Sequence, residues 1–192
     1  MALNAATVIL PGRGTVFTAP ANTVPFDKDT VNAATTSTYT GWNCLGHTSR
    51  DNTVGLSKEG GEATSRGSWY DPNLRATRDP NSWGFTVNSL QLDALTLGLA
   101  FPGGEIRGGA FWVPSATGSA ERAIYILMID GPATGGLYFP RVDISIGDAP
   151  EISVDSFFEI QLSGSMLSAS VASGDVEIGD LMAIFPPVDL VA

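Results

Sequence analysis

His47, Ser49 and Asp51 fall within five residues of one another and are the three side-chain types of a nucleophilic relay. Such a relay is defined by geometry, not by closeness along the chain. Here the three sit in a polar, turn-rich stretch that gives them no common face. The run Ala63-Thr64-Ser65-Arg66-Gly67 has alanine where a nucleophile elbow needs glycine. His47 is the single histidine and Cys44 the single cysteine, too few for a zinc site. Asp27-Lys28-Asp29 lacks the glycine and the distal glutamate of a calcium loop. Gly12-Arg13-Gly14 lacks the strand and helix that flank a phosphate loop. Glu59 and Glu62 are a carboxylate pair that nothing marks for glycosidic work. Trp42, Trp69, Trp83 and Trp112 offer a sugar-stacking platform on paper, but Trp83 alternates with Phe85 and Val87 and reads as core. No enzyme class, cofactor or metal emerges from these residues.

Composition points toward association. A chain of 192 residues makes one domain, or one domain with a small appendage, and buries roughly 70% of its unfolded surface. Charged residues are only 16% of it, against a typical ~25%. A surface so short of charge is well suited to being covered by partners. All ten Lys and Arg lie in residues 1–141, and residues 142–192 hold nine carboxylates and no base. The net charge of −10 is therefore almost wholly C-terminal. It gives no footprint for gripping phosphate. It suits a non-stick wall beside DNA, or simple solubility. One cysteine excludes an internal disulfide. The N-terminus lacks the pattern of a signal peptide, and no apolar run approaches a membrane span. The expectation is a chain kept in the cytosol until assembly or lysis.

The elements follow from periodicity. Thr7 to Leu10 and Thr15 to Thr18 read as short strands, and residues 20–40 as an extended arm or long loop. Trp42 to Leu45 reads as a strand, residues 47–63 as a long polar loop, and Thr64 to Tyr70 as a second strand. Asp71-Pro72-Asn73 and Asp79-Pro80-Asn81 read as turns. Trp83 to Val87 alternates as a half-buried strand. Leu92, Leu95 and Leu99 repeat at helical spacing, which predicts one helix over about 89–101, capped by Asn88 or Ser89 and stopped by Pro102. Residues 123–129 are apolar on both faces, as a central strand requires. Strands are predicted over 137–146 and 152–162, with a last strand or two over 176–184.

The order of Gly46-His47-Thr48-Ser49, Gly60-Gly61-Glu62-Ala63-Thr64, Gly67-Ser68-Trp69 and Trp83 to Gln91 resembles the major tail (tail tube) proteins of long-tailed bacteriophages of mycobacteria and related actinobacteria. The resemblance is carried by about residues 40–130. It implies a mostly β fold: a β-sandwich or partial barrel with one flanking α-helix. It implies a single tail-tube domain over 1–192, with an extended N-terminal arm (about 1–40) and a long loop (about 47–63). Some relatives append an immunoglobulin-like domain, which a chain of this length is not expected to carry.

The same resemblance implies a structural virion protein, located in the tail and assembled in the host cytoplasm. Its subunits would form homo-hexameric rings that stack into a hollow tube. Its partners would be further copies of itself, the tape measure protein, and the tail tip and tail terminator proteins. DNA would pass through without specific binding, and no membrane would be involved. The arm at 20–40 and the loop bearing His47, Arg50, Asp51, Lys58, Glu59 and Glu62 are expected to stack one ring on the next. Deleting 47–63 is expected to spare the fold. Strands 64–70, 83–91, 122–130 and 137–147 are expected to line the lumen, with Asp143, Asp155 and Glu159 as lumen-facing acids. Leu92, Leu95 and Leu99 mark a helix that packs within or between subunits. Two alternatives are a β-sandwich decoration or carbohydrate-binding module, and a type VI secretion-like tube protein.

Overall fold

The computed structural model describes residues 5–28, 39–116 and 118–188. The chain runs through a 3-10 turn (Ala5–Thr7), β1 (Arg13–Pro20), β2 (Asn43–Cys44), β3 (Gly55–Gly60), β4 (Ala63–Arg66), β5 (Arg75–Arg78), β6 (Asn81–Ser89), α1 (Ala94–Ala100), β7 (Glu105–Arg107), β8 (Ala110–Trp112), β9 (Ala120–Asp130), β10 (Ala133–Ile146), β11 (Ile160–Leu167) and β12 (Ala183–Phe185). Eight strands form one antiparallel sheet in the order β2-β1-β9-β10-β11-β6-β3, with β12 added beside β10. β4 with β5, and β7 with β8, are separate two-stranded hairpins. The fold is mostly β with one helix, as the sequence leads one to expect, and its sheets do not close into a barrel.

β9 explains the layering. Its residues are apolar at both parities, so both faces must be covered. Ile124 and Ile126 enter one core with Val16, Phe85, Val87, Phe139, Val142, Ile144, Leu162 and Leu99 of α1. Tyr125, Leu127 and Ile129 enter a second core with Phe17, Trp42, Tyr138 and Val176. That second face is aromatic. Phe26 stacks on Tyr39 at 4.3 Å and meets Trp42 edge-on at 5.7 Å.

Pro140 sets the register of the neighbouring strand. It has no N–H to give the ladder, so β10 bulges between Phe139 and Val142. The bulge reverses side-chain parity. Leu137 and Phe139 ahead of it, and Val142 and Ile144 after it, all reach the same core. Without that extra residue Val142 would face the Tyr138 side.

Several expectations change in detail. Thr7 to Leu10 is not a strand; a 3-10 turn ends at Thr7. Thr15 to Thr18 lies inside β1, a full member of the sheet paired along β9, so residues 13–20 are not an arm. Residues 29–38 of the expected arm lie outside the described residues. The loop 47–63 contains β3, an edge strand paired with β6. Asp79-Pro80-Asn81 is not a turn, because Asn81 already pairs with Gly60. Residues 152–159 are not a strand, and Ile152 and Val154 are almost fully exposed.

The helix is shorter than predicted, at Ala94–Ala100. Asp93 caps it, its side chain accepting from the Thr96 N–H at 2.8 Å. Asn88 and Ser89 cannot serve, because β6 continues through Ser89 to pair with Ile160. Leu92 consequently precedes the helix and is exposed, while Leu95 is half-buried and Leu99 fully buried. Leu99 packs in the core of its own subunit.

One glycine is required by close approach. A Cβ at Gly164 would lie 2.3 Å from Phe85 and 2.6 Å from Val142. Phe85 stacks on Phe139, two strands away, with centroids 6.3 Å apart, and Gly164 is the gap that lets it. Gly164→Ala should destabilise the fold by about 2 kcal/mol through overpacking. Urea unfolding checks this; an unchanged midpoint would show that the ring contact is not tight.

Candidate assembly surfaces

The cores fix what the outer face of β10 and its neighbours presents. With Val142 and Ile144 inward, Arg141, Asp143 and Ser145 stand outward, half-exposed. The register carries that face across the sheet. Glu121 of β9 lies opposite Asp143, which lies opposite Ser165 of β11. Ser165 lies opposite Gly84 of β6, and Gly84 opposite Ser57 of β3. One step along, Ser145, Ser163, Thr86 and Gly55 form a parallel row. The result is a ladder of small polar side chains bordered by carboxylates.

Arg141 is the cation on that ladder, and Glu121 grips it with two hydrogen bonds, one of 2.8 Å to Nε. The pair holds the Glu121 carboxyl below its ordinary range and raises the guanidinium further. Asp143 accepts from the Ser119 hydroxyl at 2.6 Å.

Glu159 joins the same face just before β11. Its carboxylate accepts from the Ser49 hydroxyl at 2.6 Å, Asn52 Nδ2 at 2.9 Å and Asn88 Nδ2 at 2.8 Å. These bonds tie the 49–52 bend, β6 and the start of β11 together. Asp155 does not share the sheet face; it sits on the exposed segment between β10 and β11. Of the three acids singled out from sequence, Asp143 and Glu159 therefore share this face, with Glu159 six residues along from Ser165, the partner of Asp143.

The segment singled out for stacking divides into three. His47 is pinned to the end of β6: its N–H donates to the Gln91 side chain at 2.8 Å, and its carbonyl accepts from Leu90 at 2.9 Å. Its imidazole is exposed, as are Arg50 and Asp51 at the following bend. Ser49 is buried and donates its hydroxyl to Glu159, which leaves no Ser–His relay. Lys58 and Glu59 lie in β3, with the Lys58 ammonium 5.8 Å over the Trp83 ring. Deleting 47–63 would remove an edge strand and two Glu159 donors, so this segment is not the free loop expected from sequence. Only Glu62 belongs to a projecting piece.

That piece is the β4–β5 hairpin, which sequence reasoning divided between a loop and a lumen strand. Residues 63–66 pair with β5 and lie off the main sheet, so the strand expected at 64–70 is shorter and belongs to a separate hairpin. The signal was present: Thr64 to Arg66 and Arg75 to Thr77 flank the Asp71-Pro72-Asn73 turn. The tryptophans form no platform. Trp42 is buried, Trp83 lines the first core, and Trp69 and Trp112 stand on separate hairpins.

The three donors around Glu159, Ser49 foremost, hold its carboxyl below its ordinary 4.5 against the opposing effect of burial. A carboxyl depressed in the folded state stabilises above its unfolded pKa and loses that contribution as pH falls through the folded value. Stability should therefore decline on acidification below 4.5, and more shallowly in Glu159→Gln. Denaturation midpoints from pH 7 to 3 check this; parallel profiles would contradict it.

Two phage proteins are similar to this chain over most of its length. The "Major tail protein Gp23" of Mycobacterium phage D29 is 31% identical over 164 residues, 81% of this chain and 82% of the relative. Its counterpart of the same name in Mycobacterium phage L5 is also 31% identical over 164 residues, with the same coverage. The model of the family described as "Phage tail tube protein" matches residues 1–173. The chain belongs to the phage tail tube protein family, as a structural component of the virion tail.

Proposed function

We propose that the chain self-associates into rings of six, which stack into the hollow tail tube in the host cytoplasm. The tube encloses the tape measure protein, is bounded by tail tip and tail terminator proteins, and then conducts DNA without binding it specifically. The chain does this without enzymatic activity. The observation that carries the reading is the polar ladder Glu121–Asp143–Ser165–Gly84–Ser57. It is smooth, made of short side chains, and its cation Arg141 is neutralised by Glu121. Such a face repels phosphate and offers no base-reading groups. It suits the bore of a tube through which DNA must slide.

The edges of the sheet supply the ring. β3 is an exposed edge strand six residues long, and the opposite edge is closed only by the two residues of β2. Unpaired edge groups favour pairing with a neighbour. An edge-to-edge contact between two different edges is head-to-tail, and it closes into a ring when the rotation permits.

End-on electron micrographs of purified tubes should average to sixfold symmetry; another symmetry would refute the hexamer. Asp143→Asn with Glu159→Gln should leave tube yield unchanged and slow DNA ejection severalfold. Ejection at the wild-type rate would overturn the assignment of this face to the bore.

A further inference from the structure

The β4–β5 hairpin leaves the molecule between β3 and β6, and every residue from 62 to 82 is exposed. At its tip Trp69 is 106% exposed, Tyr70 99% and Leu74 66%. A tip with that much apolar area in water is built to be covered. The turn holds it firmly. The Ser68 N–H donates to the Asp71 carbonyl at 2.7 Å, the Ser68 hydroxyl accepts from Asp71 N–H at 3.1 Å, and the Asn73 N–H donates to the Asp71 carboxylate at 3.0 Å. The aromatic pair is thus presented in advance, which reduces the cost of docking.

Charge on the hairpin is also unfinished. Arg66 lies directly opposite Arg75. Among the described residues neither has a carboxylate within ion-pair distance. Like charges in register disfavour the hairpin unless an anion comes from outside.

The complement lies at the other end of the same strands. β6 begins at Asn81 beside the hairpin and ends at Ser89, opposite Ile160. Its nine residues separate the two ends by roughly 27 Å. At the far end, a cleft of about 230 Å³ is lined by Asp148, Glu151, Glu159, Asn88, Gln161 and Phe157, with no Lys or Arg. Beside it Ile152, Val154 and Phe157 are 87%, 99% and 78% exposed. Two unpaired cations with an apolar tip project from one end, and carboxylates with apolar side chains wait at the opposite end. A second copy of this chain, displaced along the strands, is the occupant that satisfies both.

The geometry points to a head-to-tail contact in which the hairpin of one copy seats Arg66, Arg75 and the Trp69–Tyr70 tip on Asp148, Glu151 and Phe157 of another. This rests on the tube reading and names the surfaces through which successive rings stack. Because donor and acceptor lie at opposite ends, the contact repeats without returning to its own molecule and grows an open filament.

The test is tube formation by the purified chain, read by sedimentation and negative-stain microscopy. Arg66→Glu with Arg75→Glu should leave the circular dichroism spectrum unchanged and cut sedimenting tubes at least tenfold. Adding Asp148→Arg and Glu151→Arg to that chain should restore at least half of them. Tubes at the wild-type yield from the Arg66→Glu, Arg75→Glu chain would overturn the contact and leave the tube reading standing. Benzoylphenylalanine in place of Trp69 gives a second readout. Its photo-cross-links in assembled tubes should fall within residues 148–161 of another copy, and cross-links elsewhere would overturn the contact. A wild-type chain that forms neither rings nor tubes and is missing from virion tails would overturn the tube reading, and this contact with it.

Discussion

The bulge at Pro140 governs the molecule. β9 and β10 are the central pair, and both faces of their sheet are buried where Tyr125 and Tyr138 lie on one side and Ile124 and Phe139 on the other. A continuous β10 would carry that alternation to its end and bury the odd-numbered residues. The proline prevents it by withholding one N–H. After the bulge Val142 and Ile144 take the inner positions, and Arg141, Asp143 and Ser145 turn outward. The polar ladder exists because of that reversal, and β11, β6 and β3 extend it by register alone.

Much of this was legible in the chain. The apolar run 123–129 marks its central strand because a strand covered on both faces cannot alternate. The Trp83 to Val87 alternation gives the inner face of β6 for the complementary reason. Other elements were hidden by physics that acts at a distance. Ser89 has the chemistry of a helix cap, yet its backbone is held by Ile160, seventy-one residues away in sequence, so the cap passes to Asp93. Ile152 to Leu162 alternates like a strand, but its first half has no partner strand and stays exposed. The polar composition of 47–63 suggested a free loop. The Ser49 and Asn52 contacts to Glu159 that anchor it cross 110 and 107 residues, which no local pattern reveals. Alternation alone places Asp143 on the outward face of β10; no local pattern reveals Glu159 as a tie across three segments.

Scarcity of charge ties sequence to assembly. With charged residues at 16% of the chain, the surface relies on Ser, Thr, Gly and scattered apolar side chains. The fold concentrates the remaining charge. Cations stand on the hairpin, and carboxylates stand at the far end. A lone copy leaves edge strands unpaired, aromatic residues wet and like charges in register. Each of these defects is of a kind that a neighbouring copy removes. Family membership and physical incompleteness thus point the same way.

The most direct measurement is a helical reconstruction of the assembled tube by cryo-electron microscopy. With the polar ladder lining the tube, Asp143, Ser163, Thr86 and Ser57 face the bore and the α1 side of the sheet is turned away from it. A reconstruction that places the ladder on the outer surface, and the α1 side on the lumen, would contradict it.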